Sequence, residues 1–357
     1  MCRGYVVGMA FCLLAGMANA QNLEYVDARN LLMVGKACSS GEYYHRLDTT
    51  FFKELPPKVK YLSTHSCGLA IGFLTNSSII SAKWEVKPDK PSPNLSAIAH
   101  RGLDLYIKRH GVWEFAGVGI PDMHANMNEG TIVQDMDSTL KECLLYLPLF
   151  SEVKSLEIGI EKGAFVSALP YPFEKKVLIY GSSIVHGAEA SRSGTTYVAK
   201  LSRRTGLDFV NLGFSGNARM ENSMADCLAN IEADAYILDC VPNATADQIA
   251  ERTDYLVRTI REKHPEAPII VVQSIVMDIG NFNLKVKNDL LVKDRTIRKE
   301  VEKLWQAGVQ NLHFIEGRDL IGNDHEGTGD GIHPNDLGFE RMAETMKPKL
   351  MEILDNE

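Results

Sequence analysis

The chain has 357 residues, which is more than one average domain needs and enough for two. Hydrophobic residues make up 45 % of it and charged residues 24 %, which are ordinary values for a globular protein with a buried core. The formal net charge of −8 argues against nucleic-acid binding and against adsorption to anionic lipid surfaces.

The start of the chain has the composition of a secretory signal. Arg3 supplies a positive charge, residues 5–17 are apolar and uncharged, and residues 18–20 (Ala-Asn-Ala) form a small-x-small cleavage pattern. This apolar run is too short to span a bilayer, which argues against a membrane anchor. We therefore predict that residues 1–20 are a cleaved signal peptide and that the protein is secreted or periplasmic, without stable insertion into a membrane.

Residues 21–172 have the pattern of a β-sheet domain. Short apolar runs such as 68–74 and 78–84 are separated by turn residues, and the segment 155–160 alternates with a period of two. Short strands at such intervals are typical of a β-sandwich. The proline-containing stretch 169–172 marks the predicted boundary of this domain.

Residues 173–357 alternate compact apolar runs with helical patterns. Such alternation indicates an α/β domain with a mostly parallel sheet and helices on both faces. Ligands of these sheets bind beyond the carboxyl ends of the strands. The predicted strands are 177–180, 209–212, 235–238 and 269–272, and the predicted helices are 195–204, 245–263, 292–307 and 336–353.

Five cysteines remain once the signal peptide is removed: Cys38, Cys67, Cys143, Cys227 and Cys240. Their odd number leaves at least one thiol unpaired, and their wide spacing matches no zinc pattern. We expect most of them to be small buried residues, and a disulfide between Cys227 and Cys240 is left open. The sequence implies no metal and no organic cofactor.

A potential nucleophile follows the first strand of the α/β domain. The run 177–180 ends in Gly181-Ser182-Ser183, which places the hydroxyl of Ser183 where the sheet opens to solvent. Gly181 permits the sharp turn that this requires. A serine is a poor nucleophile unless it has an adjacent base, and that base needs a third group to orient it.

Asp330 and His333 can supply the orienting group and the base. They precede the last predicted helix, and a spacing of three residues in a tight turn can bring the carboxylate beside the imidazole. The carboxylate would fix the tautomer of His333, which would take the proton from Ser183. Pro334 is expected at the first position of the following helix. His325 is an alternative base, but the spacing favours His333.

Acyl transfer also requires hydrogen-bond donors for the developing oxyanion. We predict three donors: the backbone N–H groups of Ser183 and Gly216, and the side-chain amide of Asn243. Gly216 and Asn243 follow the second and third strands of the α/β domain, so all three donors lie after strands of one sheet.

Residues 175–350 resemble the SGNH (GDSL-like) hydrolases, whose four spaced blocks carry Ser, Gly, Asn and Asp-x-x-His. This resemblance places Ser183 on the nucleophile, Gly216 and Asn243 on the oxyanion donors, and Asp330 and His333 on the rest of the triad. It implies a flavodoxin-like α/β domain that hydrolyses esters through an acyl-enzyme. The serine before the nucleophile departs from the usual Gly-Asp-Ser, at a position that varies in the family.

The first half carries a second resemblance. Residues 101–106 (Arg-Gly-Leu-Asp-Leu-Tyr) resemble the Gly-x-Asp-Leu-Tyr motif of a β-sandwich module found before certain bacterial SGNH domains. Asp104 and Tyr106 of this motif are expected to be structural. His186 and Arg192, which follow the proposed nucleophile, are predicted to line the substrate pocket. A supporting or surface role for His186 and a solvated charge for Arg192 are the alternatives.

The leading hypothesis is a secreted serine esterase that removes short acyl groups, acetyl above all, from carbohydrate. Its expected partner is an acylated carbohydrate or another small ester, and not nucleic acid. A lipid-directed esterase of the lysophospholipase or platelet-activating-factor acetylhydrolase kind and an O-acyltransferase are alternatives among enzymes. A non-catalytic glycan-binding protein is the alternative from another class. The sequence 243–245 (Asn-Ala-Thr) would be glycosylated in a eukaryotic secretory pathway, on an oxyanion donor, which favours a bacterial protein.

Overall fold

The computed structural model describes residues 22–355 of the chain. The signal peptide predicted for residues 1–20 lies outside the described residues and stays a prediction. None of the helices between residues 22 and 355 is both long enough and apolar enough to cross a membrane.

The N-terminal half is built from short strands and two short helices. Its strands are β1 (Leu23–Asp27), β2 (Leu32–Val34), β3 (Ala70–Thr75), β4 (Ile80–Val86), β5 (Leu103–Arg109), β6 (Val112–Gly119), β7 (Met127–Val133), β8 (Lys141–Tyr146), β9 (Val153–Glu161) and β10 (Val166–Ala168). Its helices are α1 (Pro57–Ser63) and α2 (Ala97–Arg101).

These strands form two antiparallel sheets that enclose one core. The first sheet has the order β1-β9-β4-β7, and the second has the order β10-β3-β8-β5-β6 with β2 paired to β3. Trp84 and Ile158 from the first sheet pack with Phe73 and Leu105 from the second, and all four are buried. Burial of one face of each sheet follows from the alternation of strand side chains. The predicted β-sandwich is confirmed.

The C-terminal half alternates strands and helices. Its strands are β11 (Lys176–Gly181), β12 (Asp208–Gly213), β13 (Ala235–Asp239), β14 (Ile269–Val272) and β15 (Leu312–Ile315). Its helices are α3 (Ser183–His186), α4 (Tyr197–Thr205), α5 (Asn222–Ala229), α6 (Ala246–Lys263), α7 (Leu284–Gln306) and α8 (Asp336–Asp355).

The five strands of this half form a parallel sheet in the order β12-β11-β13-β14-β15. Numbered within the half, this is the 2-1-3-4-5 order of flavodoxin-like folds. Leu178 and Tyr180 of β11 enter a core shared with α5, α6 and α7. Val177 and Ile179 enter a second core shared with α4 and α8. The predicted parallel sheet with helices on both faces is confirmed.

One helix starts well before its predicted first residue, and one proline lies outside the helix expected to contain it. Helix α7 begins at Leu284 rather than at residue 292, and the side chain of Asn283 caps it by accepting the N–H of Val286 at 3.2 Å. The last helix keeps its predicted start at residue 336, whereas the expectation that Pro334 is its first residue is wrong. That helix, α8, begins at Asp336, after Pro334 has paired with Thr328 in an isolated β-bridge.

The cysteines between residues 22 and 355 are all free. Cys227 and Cys240 are buried in the core beneath α5 and α6 and form no disulfide. Only Cys38 is partly exposed, which confirms that most of these thiols are small buried residues.

Candidate active site

Ser183 lies directly after β11, the strand between β12 and β13. It is the first residue of α3, whose N-terminus is capped by Ser182: the N–H of Ile184 donates to Ser182 Oγ at 3.2 Å. The N–H of a first helical residue has no acceptor within its helix, so that of Ser183 remains available to a ligand. The close approach of α3 to β12 requires Gly213, because a Cβ there would lie 2.2 Å from the nitrogen of His186.

The structure brings together the three residues that the sequence predicts as a triad. Ser183 Oγ lies 2.8 Å from His333 Nε2, and His333 Nδ1 lies 2.7 Å from Asp330 Oδ2. These are hydrogen-bond distances for a nucleophile, a base and the group that orients the base. Ser183 is 8 % exposed, so its hydroxyl is largely shielded from bulk water but open to the adjacent cleft.

Asp330 is held as an anion by the turn that contains it. Its Oδ1 accepts the backbone N–H groups of Ile332 at 2.9 Å and His333 at 2.8 Å. Burial alone would raise the pKa of Asp330, but the hydrogen bonds from the backbone and ring of His333 outweigh it, and the pKa is lowered. An ionised Asp330 accepts from Nδ1–H of His333. The lone pair on Nε2 is then free to accept the proton of Ser183.

The predicted oxyanion donors lie beside this pair. Gly216 has φ +71°, a left-handed conformation that glycine adopts without strain, and it lines the same cleft as Ser183. The N–H of Ala218 donates to Asn243 Oδ1 at 3.3 Å. Because this contact fixes the oxygen of Asn243, its Nδ2 is the group left to donate toward the cleft. Ser183, Gly216 and Asn243 can therefore surround one developing negative charge.

The cleft at Ser183 has a volume of about 760 Å³, within the usual range for small-molecule sites. The sequence prediction missed one of its walls, which comes from the first turns of α7. The α7 residues in this wall are Lys285, Val286, Asp289, Leu290 and Lys293. Within residues 22–355 no three His, Cys, Asp or Glu side chains are grouped as metal ligands would be.

Two family models match the chain. The GDSL-like lipase/acylhydrolase family matches residues 174–351, and the N-terminal region of SGNH-hydrolase-type esterases matches residues 23–166. A candidate GDSL-like lipase from Bacteroides ovatus is 50 % identical, with a TM-score of 0.92 over 94 % of this chain and 98 % of that one. The chain belongs to the GDSL-like lipase/acylhydrolase family. It is accordingly a carboxylic ester hydrolase, as the sequence predicted.

More distant structures share the fold of this acylhydrolase. The salicylyl-acyltransferase SsfX3 of a tetracycline biosynthetic pathway has a TM-score of 0.76 and 21 % identity, over 93 % of this chain and 97 % of that one. A family two carbohydrate esterase from Clostridium thermocellum, in complex with cellohexaose, has a TM-score of 0.61 and 14 % identity, over 81 % and 93 % of the chains. A search of curated proteins gave no match.

His186 of the acylhydrolase does not line the substrate pocket, so that prediction is wrong. It is fully buried, stacks on Phe150 with ring centroids 4.0 Å apart, and bonds through Nε2 to the carbonyl oxygen of Leu149 at 2.7 Å. Its Nδ1 accepts the N–H of Ser215 at 3.4 Å. Burial and the charge of Arg46 hold its pKa well below the usual value, so the ring is neutral and supports the loop before Gly216.

Arg192 does not line the pocket either. Its Nη1 lies 2.8 Å and 2.9 Å from the two carboxylate oxygens of Asp104 and 2.7 Å from the hydroxyl of Tyr106. The carboxylate also accepts the N–H of Gly194 at 2.7 Å. Asp104 is fully buried, so the guanidinium compensates a charge that would otherwise be costly to bury. The two motif residues therefore tie the sandwich to the α/β half of the acylhydrolase.

His325 lies away from the serine. Its Nδ1 is 3.3 Å from Asp278 Oδ1 and 2.8 Å from Asn281 Nδ2, and 58 % of its side chain is exposed. The imidazole within hydrogen-bond distance of Ser183 Oγ is that of His333, which the spacing also favours.

Arg46 is a further residue of this site that the sequence prediction missed. It is fully buried and donates to four carbonyl oxygens, those of Leu62 at 2.6 Å, His65 at 3.0 Å, Asn211 at 3.0 Å and Gly213 at 2.8 Å. The last two belong to β12, whose end leads into the loop that carries Gly216. Arg46 therefore fixes that loop from the sandwich half of the acylhydrolase.

Acid is expected to destabilise the protein through His65. Burial, and secondly the charge of Arg46, lowers the pKa of His65 to about 3, whereas an unfolded histidine titrates near about 6.5. Between these values only the unfolded chain binds the proton. The free energy of unfolding therefore decreases as the pH is lowered, by up to about 1.4 kcal/mol per pH unit. The free energy of unfolding is measured with urea at pH 7 and at pH 5. Its decrease between the two pH values should be about 2 kcal/mol smaller for His65→Phe than for the wild type.

A matched control for this prediction is His124→Phe, because His124 is exposed. It should keep the wild-type pH dependence. If His65→Phe and the wild type lose the same stability between pH 7 and pH 5, His65 is not the group that responds to acid.

Proposed function

We propose that this acylhydrolase removes short acyl groups, acetyl above all, from carbohydrate through an acyl-enzyme on Ser183. The observation that carries the proposal is the continuous chain of short hydrogen bonds from Ser183 Oγ to His333, at 2.8 Å, and from His333 to Asp330, at 2.7 Å. We further propose that the protein is exported by a bacterial cell, because residues 1–20 have the composition of a signal peptide.

The first half of the reaction forms the acyl-enzyme. His333 Nε2 takes the proton of Ser183 as Oγ bonds to the ester carbon, and the carbonyl oxygen becomes an oxyanion. The N–H groups of Ser183 and Gly216 and the amide of Asn243 stabilise that charge. When the intermediate collapses, the bond to the alcohol oxygen breaks and His333 returns its proton to the leaving alcohol. Asp330 stabilises the imidazolium throughout.

The second half releases the acid. His333 takes a proton from water as the water oxygen bonds to the acyl carbon. The resulting intermediate collapses, the bond to Ser183 Oγ breaks, and the serine regains its proton from His333. The carboxylic acid leaves, and the enzyme returns to its starting state.

A sugar alcohol is supported by two observations. The polar lining beside His333 offers hydroxyl and amide groups from Ser215 and Asn94. A carbohydrate esterase that shares this fold was crystallised with cellohexaose.

A longer acyl group is the second candidate, and the walls of the cleft favour it. Ile184, Met277, Val286, Leu290 and Ile332 give the 760 Å³ cleft an apolar lining that exceeds what an acetyl group needs. Such a lining would also suit a lipid-directed esterase.

Hydrolysis of p-nitrophenyl esters from acetate to octanoate tests the acyl assignment, and acetate release from partially acetylated xylo-oligosaccharides tests the alcohol. We expect the highest kcat/KM with acetate and release of acetate from the oligosaccharides. A preference for octanoate without action on the oligosaccharides would replace the carbohydrate assignment with the lipid one.

Loss of one oxyanion donor should be measurable by itself. Asn243→Ala is expected to lower kcat for p-nitrophenyl acetate about 100-fold, with little change in KM, because the amide acts mainly on charge that develops in the transition state. Asn230→Ala, which removes an exposed amide that does not line the cleft, is the control and should keep wild-type kcat. An unchanged kcat in Asn243→Ala would exclude its amide as an oxyanion donor.

A further inference from the structure

A second cavity, which we call the second lobe, lies beside the catalytic pair. It has a volume of about 240 Å³, and it shares Ser215 and His333 with the larger cleft. Most of its remaining wall comes from the sandwich half: α1 contributes Lys58 and Tyr61, and the loop 89–95 contributes Asn94 among others. His333 therefore lies at the junction of two spaces with different walls.

We propose that the second lobe binds the alcohol part of the ester and that this alcohol is a sugar ring. The assignment rests on the proposed function. Gly216 and Asn243 line the larger cleft but not the second lobe, so the carbonyl oxygen faces the larger cleft. The leaving oxygen has to lie within hydrogen-bond reach of His333 Nε2, which protonates it. The second lobe begins at His333, so the alcohol extends into it while the acyl group stays in the larger cleft.

The side chains of the second lobe suit a hydroxyl-rich ring. Ser92 Oγ donates to Asn94 Oδ1 at 2.5 Å, which leaves the Nδ2 of Asn94 as a donor. Tyr61 is 44 % exposed and offers both a hydroxyl and an apolar ring face. The ammonium of Lys58 lies 4.5 Å from the centre of that ring and adds further donors. A sugar matches this set because it presents hydroxyls at its edge and C–H groups on its faces.

The wall of the second lobe around Asp89 is polar. Asp89 accepts from Arg101 at 2.5 Å and from Ser151 at 2.7 Å, and it lies 3.1 Å from His100 Nε2. Two imidazoles in the wall, His65 and His100, are only 5 % and 4 % exposed, and the Nδ1 atom of each has no hydrogen-bond partner within residues 22–355. Buried polar atoms are rarely left without a partner, so two of them behind one small lobe point to a polar ligand there.

The test compares two esters of the same acyl group. For wild type, Tyr61→Ala and Asn94→Ala, kcat/KM is measured with partially acetylated xylo-oligosaccharides and with p-nitrophenyl acetate, whose alcohol has no hydroxyl-rich ring. The ratio of interest is kcat/KM for the oligosaccharides divided by kcat/KM for p-nitrophenyl acetate. Each variant is expected to lower this ratio at least about tenfold, mainly by raising KM for the oligosaccharides. Lys53→Ala, an exposed residue outside the lobe, should leave the ratio unchanged.

Asn94→Asp serves as a second variant that keeps the size of the side chain and removes the donor. It should lower the same ratio, and it keeps the test valid if Asn94→Ala fails to fold. An unchanged ratio in folded Tyr61 and Asn94 variants, with active wild type, would overturn the second lobe as the alcohol site and leave the proposed function intact. A wild type that cleaves p-nitrophenyl acetate but releases no acetate from the oligosaccharides would instead overturn the carbohydrate assignment, and this inference with it.

Discussion

Ser183→Ala is expected to lower kcat for p-nitrophenyl acetate by about 10⁵-fold, to a rate sustained only by the remaining binding and oxyanion groups. The effect is large because no other hydroxyl lies at 2.8 Å from His333 Nε2 among the hydrogen bonds of the described chain. His333 and Asp330 have little to act on once the serine Oγ is gone. Steady-state hydrolysis with a sensitive fluorescent acetate ester measures the residual rate.

Ser182→Ala is the matched control, since Ser182 is the neighbouring serine and is fully buried. Its hydroxyl caps α3, so its loss should cost about 1 kcal/mol of stability and less than about tenfold in kcat. An active-site-directed fluorophosphonate should add its mass to wild type and to Ser182→Ala but not to Ser183→Ala. A labelled or active Ser183→Ala protein would show that the nucleophile lies elsewhere.

Arg46→Met is expected to have the second largest effect, on both stability and rate. Met fills much of the space but donates no hydrogen bond, so four buried carbonyl oxygens lose a charged donor. Burial lowers the pKa of Arg46 to about 10, which still leaves it charged at neutral pH. We expect the free energy of unfolding, measured with urea, to decrease by about 3 kcal/mol. The loss is no larger because the substitution also removes the cost of burying the guanidinium.

The rate should fall as well, because two of those carbonyls lie at the end of β12, before the loop that positions Gly216. A kcat about tenfold to 100-fold lower with a nearly unchanged KM would show that the loop, and not substrate binding, is disturbed. Arg46→Lys should recover part of both losses. Arg318→Met, at a side chain that is 74 % exposed, is the control and should behave as wild type. Wild-type kcat in a folded Arg46→Met protein would rule out this positioning role.

Four of the five strands of the parallel sheet were predictable because they are buried on both faces and read as continuous apolar runs, as in Val177 to Tyr180. The fifth, β15, was not predicted, and its two middle residues are only partly buried. The meeting of Ser183, His333 and Asp330 was predictable because these residues follow a strand end or precede a helix in a fixed order. The first turns of α7 were missed because Leu284 and Leu291 are exposed near the cleft and obscure the amphipathic pattern.

The errors at His186 and Arg192 have a common physical cause. Their nearness to Ser183 along the chain does not fix the direction of their side chains. Burial turns His186 inward onto Phe150, and the buried charge of Asp104 draws Arg192 to the sandwich. The role of Arg46 could not be predicted from the sequence around it. Its acceptors are backbone carbonyls, which any residue supplies, and two of them lie more than a hundred residues away in β12.

The contacts between the halves bear on how such enzymes evolve. Modules that only share a linker can be exchanged by recombination, because each keeps its own interior intact. Here Arg46 supports the loop of the other half, and the buried carboxylate of Asp104 pairs with Arg192 from that half. A foreign front module would therefore leave the carbonyls of Asn211 and Gly213 without their donor and the guanidinium of Arg192 without its carboxylate. The two halves are consequently constrained to be inherited together, with substitutions on one side matched by substitutions on the other.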